Sequence, residues 1–80
     1  MPNVAHIATI AAYPIKEELG GGFRGVFKNV GEDRVPSDRF DTLEEAKFWA
    51  QDRAWKAYNC CSFAPYKLKG EYKANVWVNV

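Results

Sequence analysis

The segment TLEEAKFWAQDRAWKAYN, Thr42 to Asn59, constrains the fold more than any other part of the chain. Thr42 stands three residues before Glu45, so its hydroxyl can accept from the Glu45 amide while the Glu45 carboxylate reaches back to the Thr42 amide, a reciprocal pattern that starts helices. Glu44 and Glu45 also place negative charge where the helix macrodipole favours it. A helix is therefore predicted from residue 42 or 43 to about Asn59, with Cys60 and Cys61 in its fraying end. At about 100° per residue, Leu43, Ala46, Ala50, Ala54 and Ala57 form one stripe. Small side chains let a helix backbone approach a sheet closely, so this stripe is the expected buried face. The same rotation leaves Phe48 and Trp55 on the far side, among Glu44, Asp52 and Asn59, with Trp49 at a flank. A helix turned toward Tyr58 would instead carry both aromatics into a core edge and let Lys47 and Gln51 reach outward. The sequence leaves both orientations open.

The rest of the chain reads as strands. VAHIATIAAY, Val4 to Tyr13, has no helix cap before it and is closed by Pro14. After the polar turn KEELGGG, the run Phe23 to Val30 alternates, sending Phe23, Gly25 and Phe27 to one face and Arg24, Val26 and Lys28 to the other. GEDRVPSD is turn chemistry around Pro36, followed by a short edge strand at residues 38 to 40. Beyond Pro65, YKLK and YKANVWVNV form a terminal hairpin around Gly70 and Glu71. In its second arm Tyr72, Ala74, Val76, Val78 and Val80 face inward and Lys73, Asn75, Trp77 and Asn79 outward. With no internal repeat or linker, residues 1–80 read as a single α+β domain. Its expected architecture is an antiparallel sheet of four to five strands with one helix packed across one face.

A chain of 80 residues sits near the lower size at which a core alone stabilises a fold, and its 48% hydrophobic and 15% aromatic content supplies that core. The formal net charge of +1 is uneven along the chain. Glu32, Asp33, Asp38, Asp41, Glu44 and Glu45 stand against Arg34 and Arg39 in one segment, and Arg53, Lys56, Lys67, Lys69 and Lys73 against Glu71 in a later one. Such asymmetry steers partners rather than setting the fold. Adjacent cysteines cannot tie distant segments together, so Cys60 and Cys61 read as reduced thiols. No basic head with a long apolar run and no membrane-length segment is present, which predicts a soluble, intracellular protein without a membrane partner.

Few residues offer catalytic chemistry. His6 is the only histidine and lies in an apolar strand without a nucleophile nearby in sequence. One histidine with two adjacent cysteines has no zinc-ligand spacing. GGGFRG lacks the lysine and hydroxyl residue that end a nucleotide-binding loop, and a strand rather than a helix follows it. A non-enzymatic protein with no cofactor and no metal is the expectation. Two surface sets remain. Arg24, Lys28, Lys67, Lys69, Lys73 and Trp77 form a basic outward row with an interleaved aromatic, suited to nucleic acid or to an acidic protein surface. Phe48, Trp49 and Trp55, with Glu44 and Asp52 beside them, have the composition of a protein-binding hot spot.

GFRGVFKN through RVPSDRFDTLEEAKFWAQ resembles the arm-type DNA-binding domain of phage tyrosine integrases, in which a small sheet is followed by a threonine-capped TxxEA helix. That resemblance covers residues 22–51 and implies DNA binding through the sheet, with Arg24 and Lys28 as contacts. In architecture and composition the chain is also similar to phage-encoded anti-CRISPR proteins. This second resemblance implies an inhibitor, monomer or weak dimer, in the cytoplasm of a bacterial host. Its partner is a larger protein or ribonucleoprotein complex, and it blocks target DNA binding or nuclease recruitment sterically.

Overall fold

A computed structural model describes residues 4–58 and 61–79. Strands β1 (Val4–Pro14), β2 (Phe23–Asn29), β3 (Val35–Phe40), β4 (Cys61–Lys67) and β5 (Tyr72–Asn79) form one sheet in the order β3-β2-β1-β5-β4, with helix α1 (Leu43–Ala57) between β3 and β4 in sequence. Every pairing is antiparallel. This is the α+β architecture that the hydrophobic patterns predict. The longest strand, β1, is central, and the terminal hairpin β4-β5 adds to it through β5.

Register decides which residues share a face. Ala8, Ile10 and Ala12 of β1 stand opposite Asn29, Phe27 and Gly25 of β2 and opposite Val76, Ala74 and Tyr72 of β5. Except for the polar Asn29, these residues are buried, and α1 covers them with Ala46, Ala50 and Ala54, all fully buried. Ala57, at the end of the expected stripe, is exposed. The helix packs on β1, β2 and β3 and touches β5 only slightly. The alanines are there for proximity. A β-carbon added at Gly25 would lie 2.5 Å from the Ala46 carbonyl oxygen and 2.9 Å from Trp49 Cε3, so backbone meets backbone with no side chain between.

The helix start follows the sequence with one change. The Glu45 amide donates to Thr42 Oγ1 at 3.2 Å, and the Thr42 hydroxyl in turn donates to the Glu45 carboxylate at 3.0 Å. The carboxylate therefore engages the cap hydroxyl where the Thr42 amide was expected. At the other end the Tyr58 amide donates to the Ala54 carbonyl at 2.8 Å, and Tyr58 takes an extended conformation that stops the helix. Asn59 and Cys60 lie outside the described residues. Cys61 does not fray from the helix but opens β4, and Pro65 lies inside that strand rather than before it. An edge strand tolerates proline because one of its sides makes no ladder bonds. For the same reason β3, the other edge, extends across Pro36 and is longer than the three residues expected. The glycine run after the 3-10 turn Glu17–Leu19 is a hairpin connection, with Gly20, Gly21 and Gly22 all at positive φ and the Ile15 amide donating to the Gly22 carbonyl at 2.9 Å.

Between Arg24-Arg39 and Val26-Pro36 the β2-β3 ladder slips, so Ser37 and Asp38 together oppose Gly25. The Gly25 amide donates instead to the Ser37 hydroxyl at 2.8 Å, and that hydroxyl donates to the Asp38 carbonyl at 2.7 Å. Ser37 is the one buried polar side chain among the described residues. Ser37→Ala leaves the buried Gly25 amide without its acceptor, at a cost of about 1–3 kcal/mol. Thermal unfolding should show this as a melting temperature lower by roughly 4–8 °C per kcal/mol. An unchanged melting temperature would mean that the bulge does not depend on this hydroxyl.

Candidate functional surfaces

Two surfaces come out of this arrangement, on opposite sides of the sheet. On the helix side, Phe48 is 58% and Trp55 49% exposed, two turns apart on the face of α1 turned from the sheet. The orientation the sequence left open is thus the one in which the alanine stripe is buried. Trp55 leans toward the far half of the sheet, its ring centroid 5.3 Å from that of Phe63 on β4. Lys47 bridges two rings, its Nζ 5.8 Å from the Phe48 centroid and 5.6 Å from that of Tyr72. Trp49 departs from the expected set. It is half-buried against the core beside Gly25, with the Arg53 guanidinium 5.5 Å from its ring centroid, because one residue of rotation turns it from solvent to the helix flank. Glu44 and Asp52 are exposed, but each is held within the helix, Glu44 by Lys47 at 3.3 Å and Asp52 by Lys56 at 2.9 Å. The rim around Phe48 and Trp55 is therefore a mixture of charges.

On the other side, register places Arg24 and Lys28 of β2, and Lys73 and Trp77 of β5, on the face away from the helix with Thr9, Ala11 and Tyr13 of β1. Lys67 stands opposite Lys73 and is bound to Glu71 at 2.8 Å. The hydrogen bond and charge of Glu71 push the Lys67 pKa up, and the hydrogen bond from Lys67 holds the Glu71 carboxyl below its ordinary value. Lys69 lies in the β4-β5 turn, at the rim of the sheet rather than on its face. The outer row is therefore Arg24, Lys28, Lys73 and Trp77, with Lys67 neutralised and Lys69 marginal.

The sequence reading missed a feature at the Tyr13 end of this face. Two adjoining depressions of about 660 and 390 Å³ lie there, and Tyr13, Pro14 and Arg34 line both. Ile15, Lys16, Leu19, Arg24 and Pro36 complete the larger, and Ala11, Val26, Glu71 and Lys73 the smaller. Arg24 donates to the Ser37 carbonyl at 3.3 Å, which fixes its guanidinium on the wall. Among the described residues, Lys16, Arg24, Lys28, Arg34 and Lys73 belong to no ion pair. Alternation along β1 could have found Tyr13, since it continues the outward series Thr9, Ala11. The flanking cations could not have been found that way, because Arg34 and Lys73 reach it only through the sheet order. No helix of the described residues is long and apolar enough to cross a membrane. No model of a known protein family, no curated protein and no solved structure matches the chain.

Proposed function

We propose that the protein is a non-catalytic binding domain that works by occupying a surface of a larger protein or ribonucleoprotein complex, with Phe48 and Trp55 as its anchors. The observation that carries this reading is two large aromatics, each about half exposed, on one helix face two turns apart, while the alanines of the same helix fill the core. Exposed side chains of this size cost solubility unless a partner buries them, and aromatics are the side chains that most often dominate binding. The paired charges Glu44-Lys47 and Asp52-Lys56 form a polar rim that orients a partner without committing to one sign. In its sharper form the reading follows the anti-CRISPR resemblance. The domain is then a phage inhibitor in the bacterial cytoplasm that docks on a CRISPR effector complex and blocks target DNA binding or nuclease recruitment sterically.

Phage plaquing tests the sharper form. Bacteria whose CRISPR immunity restricts a phage should lose that restriction, by several orders of magnitude in plaque count, when they express this chain. Intact restriction across the effector types tried removes the defence-inhibitor assignment and leaves only the general binding role. A second reading, a nucleic-acid binder acting through the sheet, is favoured by one observation: Arg24, Lys28 and Lys73 share the open face, and none of them forms an ion pair among the described residues, although the charge of Lys73 is felt by Glu71.

A further inference from the structure

We propose that the outer face of β1, from the groove astride Tyr13 to the His6-Trp77 pair, is a track for single-stranded nucleic acid, with Tyr13 as a base-stacking platform. The inference rests on the second reading above and names its ligand and contact residues. Three features point to a single strand.

The first is the alternation of rings and cations. Tyr13 lies at one end of the central strand's open face, with Arg24 directly across on β2 and Lys73 one diagonal step away on β5. At the other end His6 stands opposite Trp77, ring centroids 5.4 Å apart. Lys28, opposite Thr9, lies between them. Seven residue steps along β1 separate the two aromatic ends, roughly 23 Å, room for about four nucleotides and so the lower end of single-strand site sizes.

The second is the floor. Thr9 and Ala11 of β1 are half-buried and carry no ring or long side chain, and the long side chains that flank them are the cations Lys28 and Lys73. The third is the charge. Lys16, Arg24, Arg34 and Lys73 rim the depressions, and their one carboxylate, Glu71, is already taken by Lys67 at 2.8 Å. An anionic occupant neutralises the rim; an occupant with flat unpaired rings also uses Tyr13 and Trp77. A single strand supplies both chemistries, whereas a duplex hides its base faces and an acidic peptide has none.

The test is fluorescence anisotropy with labelled 12-nucleotide oligo(dT) and oligo(U), a 12-base-pair duplex and unlabelled polyglutamate, at two salt concentrations. The proposal expects a single strand bound at least tenfold more tightly than the duplex, with affinity falling as salt rises. Tyr13→Ala should weaken single-strand binding by about tenfold or more, Tyr13→Phe should restore it, and Arg34→Glu, an exposed change that spares the fold, should weaken it and flatten the salt dependence. Duplex binding equal to or tighter than single-strand binding, or a Tyr13→Phe variant that loses binding, overturns the track while leaving the nucleic-acid reading in place. Displacement by polyglutamate as effective as by unlabelled strand also overturns it, since charge alone would then suffice. No binding of any nucleic acid at low salt overturns both.

Discussion

Gly25→Ala is expected to lower the melting temperature of this domain by at least 10 °C. The added carbon meets the Ala46 carbonyl oxygen at 2.5 Å and Trp49 Cε3 at 2.9 Å, and the first of these is helix backbone, which cannot rotate away. Relief requires α1 to rise from the sheet. Ala46, Ala50 and Ala54 are all fully buried against β1 and β2, so lifting the helix opens gaps along the whole contact rather than at one point. Overpacking of this kind costs about 3 kcal/mol, a large part of the 4–12 kcal/mol or so that a chain of this length commands. Gly31→Ala serves as the comparison. Gly31 has φ +86° and open space around the new carbon, so only backbone strain of about 1 kcal/mol opposes the change. Thermal and urea unfolding of the two variants should rank them clearly, with Gly25→Ala the worse. Equal stabilities would show that the helix can be repositioned without cost, and the close approach would then not be what holds it.

That contact explains which parts of the fold could be read from the chain. The Thr42 cap and the alternation of β2 and β5 are written in residues a few positions apart, and each reappears as a hydrogen bond or a buried row. The alanine stripe was readable as the buried face because helix rotation is also local, and the same rotation exposed Phe48 and Trp55. Edge strands were harder. β3 and β4 each carry a proline and gain ladder bonds on one side only, so their local pattern is that of a turn until a neighbouring strand is supplied. Sites assembled across strands were the least legible. Tyr13 and Arg24 are eleven residues apart and Lys73 sixty from Tyr13, and only the order β2-β1-β5 makes them neighbours. The charge imbalance noted along the sequence acquires meaning in the same way. The acid-rich segment contains β3 and the lysine-rich segment β4 and β5, which places these strands on opposite sides of β1 in one sheet.

Replacing Phe48 and Trp55 together by alanine is expected to weaken partner binding by at least a hundredfold while the melting temperature falls by less than about 5 °C. The binding estimate takes each aromatic as an anchor contributing about 2 kcal/mol or more, which combine to several orders of magnitude before the coupling between neighbours is considered. The stability estimate follows from where the side chains are. Phe48, 58% exposed, has no ring neighbour among the described residues other than the Lys47 ammonium, so its removal costs the fold little. Trp55 is less free, since it covers Phe63 at 5.3 Å on the far half of the sheet, which the rest of α1 touches only slightly. Its loss uncovers Phe63 at a cost of about 1 kcal/mol. If the domain is the CRISPR inhibitor proposed above, the measurement is restored restriction in cells expressing the double variant, together with its abundance by immunoblot and its melting curve by circular dichroism. Restored restriction at normal abundance identifies the helix face as the working surface. A variant that still inhibits rejects Phe48 and Trp55 as anchors, and a collapsed melting curve moves them from the surface into the core. Trp49→Phe sharpens the contrast, because Trp49 is wedged beside Gly25 under Arg53 and its replacement should change stability without changing partner binding.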